Sequence, residues 1–145
     1  MTNAIKLFAL LILSSTYACA SESGEDVTEQ FTEIRDAAIQ AWEDQGHTVD
    51  HAAVAEWRVI LVDEAPMFDD GAHVAGSYYK AKEIRIFRGF ADWKSNANED
   101  RNIYYIGTHE YTHVLTGKDH DDNFWNTEDH AMELQGLDPW GEPMK

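Results

Sequence analysis

Asn98 to Gly117 reads Asn-Glu-Asp-Arg-Asn-Ile-Tyr-Tyr-Ile-Gly-Thr-His-Glu-Tyr-Thr-His-Val-Leu-Thr-Gly, and its reading decides the rest. Asn98 is a good helix cap, and Glu99 and Asp100 put negative charge in the first turn, where the helix dipole favours it. Ile103, Ile106, Val114 and Leu115 give the segment apolar packing positions. Gly117 is a natural terminator. The segment is therefore expected to be one helix, and it carries His109-Glu110-Tyr111-Thr112-His113. Residues four apart share a helix face. Two imidazoles so placed can hold one tetrahedral zinc ion. Glu110, one position round the helix, does not reach that ion but reaches a water that the ion polarises. It is the expected general base, and then the acid that hands the proton to a leaving amine.

Working back from this helix, Val74–Tyr79 and Glu83–Arg88 are two β-like runs joined by Lys80-Ala81-Lys82, which predicts a hairpin. Ile84 and Ile86 point to one face, Arg85 and Phe87 to the other. Trp57–Val62 is rich in β-branched residues and reads as a buried strand. Asp63–Gly71 and Gly89–Asn98 read as loops. Val49–Glu56 reads as a short helical or irregular piece. Val27, Phe31, Ile34, Ala38 and Trp42 recur at helical spacing, with Asp26 and Glu29 able to form a capping box and Gly46 able to end the helix. Beyond Gly117, Lys118–Asn126 reads as acidic and irregular. Thr127 is placed to cap a last short helix, Glu128–Gln135. The fold class expected is α+β: an N-terminal helix, a small mixed sheet, the histidine-bearing helix and a short C-terminal lobe.

The chain has 145 residues, which suits one domain, and a net charge of −16. That charge argues against nucleic acid and anionic membrane surfaces as partners. Met1–Ala20 carries one Lys, the apolar run Leu7–Leu13 and then Ala18-Cys19-Ala20, the three parts of an export signal. The apolar run is too short for a membrane span. Cleavage after Ala20 would release a soluble secreted or periplasmic protein. Cleavage before Cys19 would leave a lipid anchor there. Cys19 is the single cysteine, so in either case the rest of the chain has no disulfide, thiol nucleophile or Cys metal ligand.

Catalytic zinc needs a third protein ligand and an open position. His120 leads, because Gly117 lets the chain turn back toward the metal. Glu133, His130 and Asp119 with its acidic neighbours are the alternatives. His47 and His51 are also four apart, but no third ligand is near them. His73, beside Asp69 and Asp70, reads as an exposed loop residue.

His109–His120 resembles the zincin metallopeptidases, and among them the metzincins, whose motif is HExxHxxGxxH. This chain has one residue more between His113 and Gly117 and keeps the Gly-x-x-His spacing. The strong match covers about Tyr104–His120. The resemblance implies a zincin-like domain over 21–145 and zinc held by His109, His113 and His120, with Glu110 acting on peptide or protein substrates. Met132 stands where the family's Met-turn would, though an ordinary core role suits it better. The thermolysin-like branch would instead take Glu133 as ligand, but the acidic residue usual four positions later is Leu137 here. The resemblance also implies an edge strand that pairs with an extended peptide, for which Glu83–Phe87 is the candidate. Tyr104, Tyr105 or Tyr111 could then stabilise an oxyanion. Two other functions use the same residues: a zinc amidase of non-protein substrates, and an inactive metal- or partner-binding exported protein.

Overall fold

The computed structural model describes residues 24–69, 71–91, 100–138 and 144. The leader-like Met1–Ala20, Cys19 and the Asn98 cap lie outside them. Four strands form one mixed sheet in the order β1 (Glu25–Asp26), β2 (Arg58–Val62), β6 (Glu83–Phe87), β5 (Ala75–Tyr78). β2 and β6 are parallel, with Val59 opposite Ile84 and Leu61 opposite Ile86, and the β1–β2 and β5–β6 pairs are antiparallel. Two short strands, β3 (Met67–Phe68) and β4 (Gly71–Ala72), pair antiparallel where the loop Asp63–Gly71 is expected, the second running one residue past it. The helices are α1 (Thr32–Asp44), α2 (His51–Ala55), α3 (Arg88–Ala91), α4 (Asp100–Thr116) and α5 (Asp122–Leu134). The expected α+β class and mixed sheet are both present.

Burial alternates in β6 as the sequence implies. Ile84 and Ile86 are fully buried, and Arg85 and Phe87 only partly. They pack with Val59 and Trp57 from the β2 side, and with Phe31, Ile34, Ala38 and Ala41 from the first helical segment. α1 lies against α4 and α5, and α4 against β5, so the histidine helix is held between a helix layer and a sheet edge. α4 comes close to the first helical segment at Gly107. A Cβ there would stand 2.8 Å from Phe31 Cε1 and 3.1 Å from Ile34 Cδ1.

Several boundaries differ from the sequence expectation. Glu25 and Asp26, which the sequence shows only as acidic residues ahead of the helix, pair with Leu61 and Ile60. Backbone pairing at an edge needs no apolar side chains, so composition does not reveal it. The first turn of the N-terminal helix is a 3-10 turn over Thr28–Phe31, with no side-chain cap on Val27. Asp26 accepts instead from the amide and hydroxyl of Thr28. The hairpin's downstream loop begins with the short α3. The last helix starts at Asp122 rather than Glu128, because Asp121 is the cap and accepts from the Phe124 amide at 2.9 Å. Thr127 is buried inside the helix and donates its hydroxyl to the Asn123 carbonyl.

Among the described residues, no helix is long and apolar enough to cross a membrane.

Candidate metal centre

α4 ends at Thr116, and Gly117 leaves it at φ +100°, a conformation that L side chains rarely adopt. The chain then reverses through Lys118 and Asp119 and presents His120 to the face that carries His109 and His113. One ligand nitrogen from each of these three histidines can be chosen so that all lie within 4.8 Å of one another. His109 Nε2 and His120 Nε2 are 3.3 Å apart. A tetrahedral ion with bonds of about 2.05 Å requires ligand separations of roughly 3.3 Å, so that edge has the right length for zinc. The extra residue between His113 and Gly117 is taken up by α4 itself, which runs on to Thr116.

The hydrogen bonds of the outer ring nitrogens orient two of the rings. His113 Nδ1 lies 2.8 Å from the Gly117 carbonyl, which only accepts, so Nδ1 carries the proton and Nε2 offers a lone pair. His109 Nδ1 lies 2.8 Å from Glu128 Oε1. A carboxylate likewise accepts, leaving His109 Nε2 as a donor to a metal. Burial is the main influence that holds the His113 imidazole below its usual pKa, partly opposed by the Gly117 hydrogen bond. That favours the neutral form a metal requires.

Under the three rings lies Phe124, fully buried, with ring centroids 5.0, 4.6 and 4.6 Å from those of His109, His113 and His120. Trp125 stacks on His120 from outside, at 5.2 Å. Both aromatics come from the first turn of α5, as the cap at Asp121 dictates.

The histidines open onto a cleft of about 320 Å³, whose opposite wall includes His73, Gly76 and Ser77. Glu110 lines it too and is only 6% exposed. Ser77 donates its hydroxyl to Glu110 Oε2 at 2.8 Å. Burial raises the Glu110 pKa, and the Ser77 hydrogen bond, the strongest opposing influence, lowers it. Glu110 is thus a buried carboxyl on the cleft wall, its proton affinity raised by burial and restrained by Ser77. Tyr79 donates its hydroxyl to the His113 carbonyl at 2.7 Å, fastening the sheet to the histidine helix. Its pKa is pushed up to about 12, chiefly by burial.

The alternative ligands stay away from this cluster. His130 Nε2 bonds to Asp44 at 2.9 Å, and its Nδ1 is 3.5 Å from Glu133. Asp119 is exposed. His51 bonds to Glu43, and His47 stacks on Trp42. Met132 is a fully buried core residue within α5, not part of a turn.

Glu83–Phe87 is not the edge strand. β6 uses both of its backbone edges, one on β2 and the other on β5, and β5 is the strand at the cleft. The tyrosines on α4 also point elsewhere. Tyr104 is exposed beside another cavity, Tyr111 is in the core, and Tyr105 packs 6.0 Å from the His109 ring without lining the cleft. Sequence reading missed Glu128, Ser77 and Phe124, and, although His73 is an exposed residue outside the strands as expected, it missed that His73 lines the cleft. For Glu128 one signal was available: a carboxylate in a helix that follows a histidine cluster. The other three depend on tertiary contacts alone.

No protein-family model, curated protein or solved structure matches the chain.

Proposed function

We propose that the chain is an exported zinc-dependent peptidase, with His109, His113 and His120 as ligands and Glu110 as general base. One observation carries this reading: the buried Glu110 carboxylate, oriented by Ser77, opens onto the same cleft as three imidazoles whose ligand nitrogens converge. A store for metal has no use for a base beside its ligands. The donor set fits zinc, being three nitrogens with one edge of tetrahedral length. Zinc held there supplies a Lewis acid that acidifies water and polarises a carbonyl.

The side chains do the rest. Glu110 accepts the proton of the attacking water and delivers it to the departing amine, so that the amide C–N bond breaks and the carboxyl product keeps the water oxygen. Ser77 fixes which carboxylate oxygen faces the cleft. Glu128 and the Gly117 carbonyl hold two imidazoles in the required tautomer. β5, at the sheet edge, offers backbone groups to an extended substrate. The leader-like Met1–Ala20 supports action outside the cytoplasm, and the charge of −16 supports solubility there.

The test is to load residues 21–145 with zinc and compare wild type with Glu110→Gln on a mixed peptide library. Cleavage by wild type, and at least about a 10²-fold loss in the variant with zinc content unchanged, is the expected outcome. Equal turnover in the two proteins excludes Glu110 as base. Zinc binding without cleavage by wild type would favour a binding protein.

A further inference from the structure

Lys118 is the one side chain with a fixed positive charge among the described residues that line the cleft. It stands in acidic surroundings. The chain carries a net charge of −16, and Asp119, Asp121 and Asp122 follow closely in sequence. Among the described residues no carboxylate pairs with the ammonium, which lies instead over the Tyr79 ring, 5.6 Å from its centroid, within reach of a cation–π contact.

Both partners in that contact are anchored on His113. Tyr79, which follows β5, donates its hydroxyl to the His113 carbonyl at 2.7 Å and meets the Trp57 ring edge-on at 5.3 Å. Gly117, which precedes Lys118, donates its amide to the same carbonyl at 2.9 Å, and its own carbonyl lies 2.8 Å from His113 Nδ1. The charge therefore sits on the cleft wall beside one of the three converging imidazoles. A carboxylate that enters the cleft meets an ammonium able to give it a charge-assisted hydrogen bond. The net charge of the chain repels acidic peptides at long range, so the attraction is local and depends on where along the peptide the carboxylate lies.

We propose that Lys118 is a specificity-determining residue, which selects peptides carrying a carboxylate near the scissile bond by pairing it with the ammonium seated over Tyr79. This rests on the hydrolase reading above. The carboxylate comes from an acidic side chain or from a free C-terminus, and the test separates the two. It uses the zinc-loaded protein as wild type, Lys118→Met, Lys118→Arg and Lys118→Glu. The probe is a cleaved peptide from the library or, if none is cleaved, an alanine-based hexapeptide. A single Glu, Gln or Lys is moved along the probe, and each peptide is made with a free and with an amidated C-terminus. The readouts are the ratio of kcat/KM between peptides that differ at one site, and the ratio of their affinities for the metal-free protein.

At one position wild type should prefer the carboxylate about 5-fold, the upper end for a solvent-accessible ion pair. The ratio should fall to one or below in Lys118→Met, survive in Lys118→Arg and turn in favour of the Lys peptide in Lys118→Glu. It should shrink as salt is added. Loss of the preference on amidation assigns the carboxylate to the C-terminus, and loss on Glu-to-Gln exchange in the peptide assigns it to a side chain. Equal rates for acidic and neutral peptides in wild type, a preference that persists in Lys118→Met, or an equal loss on both peptides overturns the assignment and leaves the hydrolase reading in place. Preferential binding of the carboxylate peptide through Lys118 without any cleavage keeps the carboxylate site and removes the hydrolase reading. Neither cleavage nor Lys118-dependent binding removes both.

Discussion

His109 and Glu128 meet across the α4–α5 contact, Nδ1 to Oε1 at 2.8 Å, with the carboxylate almost wholly buried. The pair fixes the His109 ring and raises the basicity of its other nitrogen. Replacing Glu128 with Gln should weaken zinc binding by about 10- to 100-fold. Competition with a chelator of known affinity measures this. Unchanged affinity would mean that the contact is only a helix-to-helix bridge.

Ser77 and Glu110 give a pH prediction. The Ser77 hydrogen bond stabilises the carboxylate over the acid, opposing the effect of burial. In Ser77→Ala the carboxyl should hold its proton to higher pH, so the base is lost earlier as pH falls. The acid limb of the kcat/KM profile is expected to move toward neutrality while the alkaline limb stays in place. A shift toward lower pH would contradict the geometry.

His130 and Asp44 tie α5 to α1 at the surface. The bond to Asp44 is the main cause that raises the His130 pKa above 6.5, and the same bond is the main cause that lowers Asp44 below 3.8. A raised histidine contributes stability that is full below 6.5 and lost as pH rises through its folded value. A lowered aspartate contributes stability present above 3.8 and lost as pH falls through its folded value. The bridge therefore acts fully between those limits. The Tm difference between wild type and His130→Gln should be greatest near about pH 5 and fade as pH rises through the folded value of the histidine. A difference independent of pH would assign the effect to packing.

Gly107 marks where α4 and α1 touch. Gly107→Ala would bring a Cβ within 2.8 Å of the buried Phe31 ring. Overpacking costs about 1–3 kcal/mol, against about 1 kcal/mol gained in helix propensity. A net loss of stability in urea unfolding is expected. A gain would show that the helices separate without penalty.

The contrast between what the chain shows in one dimension and in three follows from distance along it. His109, Glu110 and His113 are legible because helical spacing alone puts them together, and Gly117 marks where the helix must stop. His120 follows from that stop. Glu128 is far enough along the chain that only the packing of α5 on α4 brings it to His109. The start of α5 was misplaced because Asp121 and Thr127 are both good caps, and nothing local chooses between them. The exchange of roles between β5 and β6 has the same origin. The parallel pairing of β6 with β2 is non-local, whereas the β5–β6 hairpin is legible from the short turn between its two runs.

Phe124 roots the three imidazoles in the core, and so it couples chemistry to endurance. An ion that binds this folded arrangement, and not the unfolded chain, adds about 1.4 kcal/mol for each tenfold excess over its dissociation constant. If His109, His113 and His120 hold a metal, the protein's resistance to unfolding would then follow the supply of that metal around it.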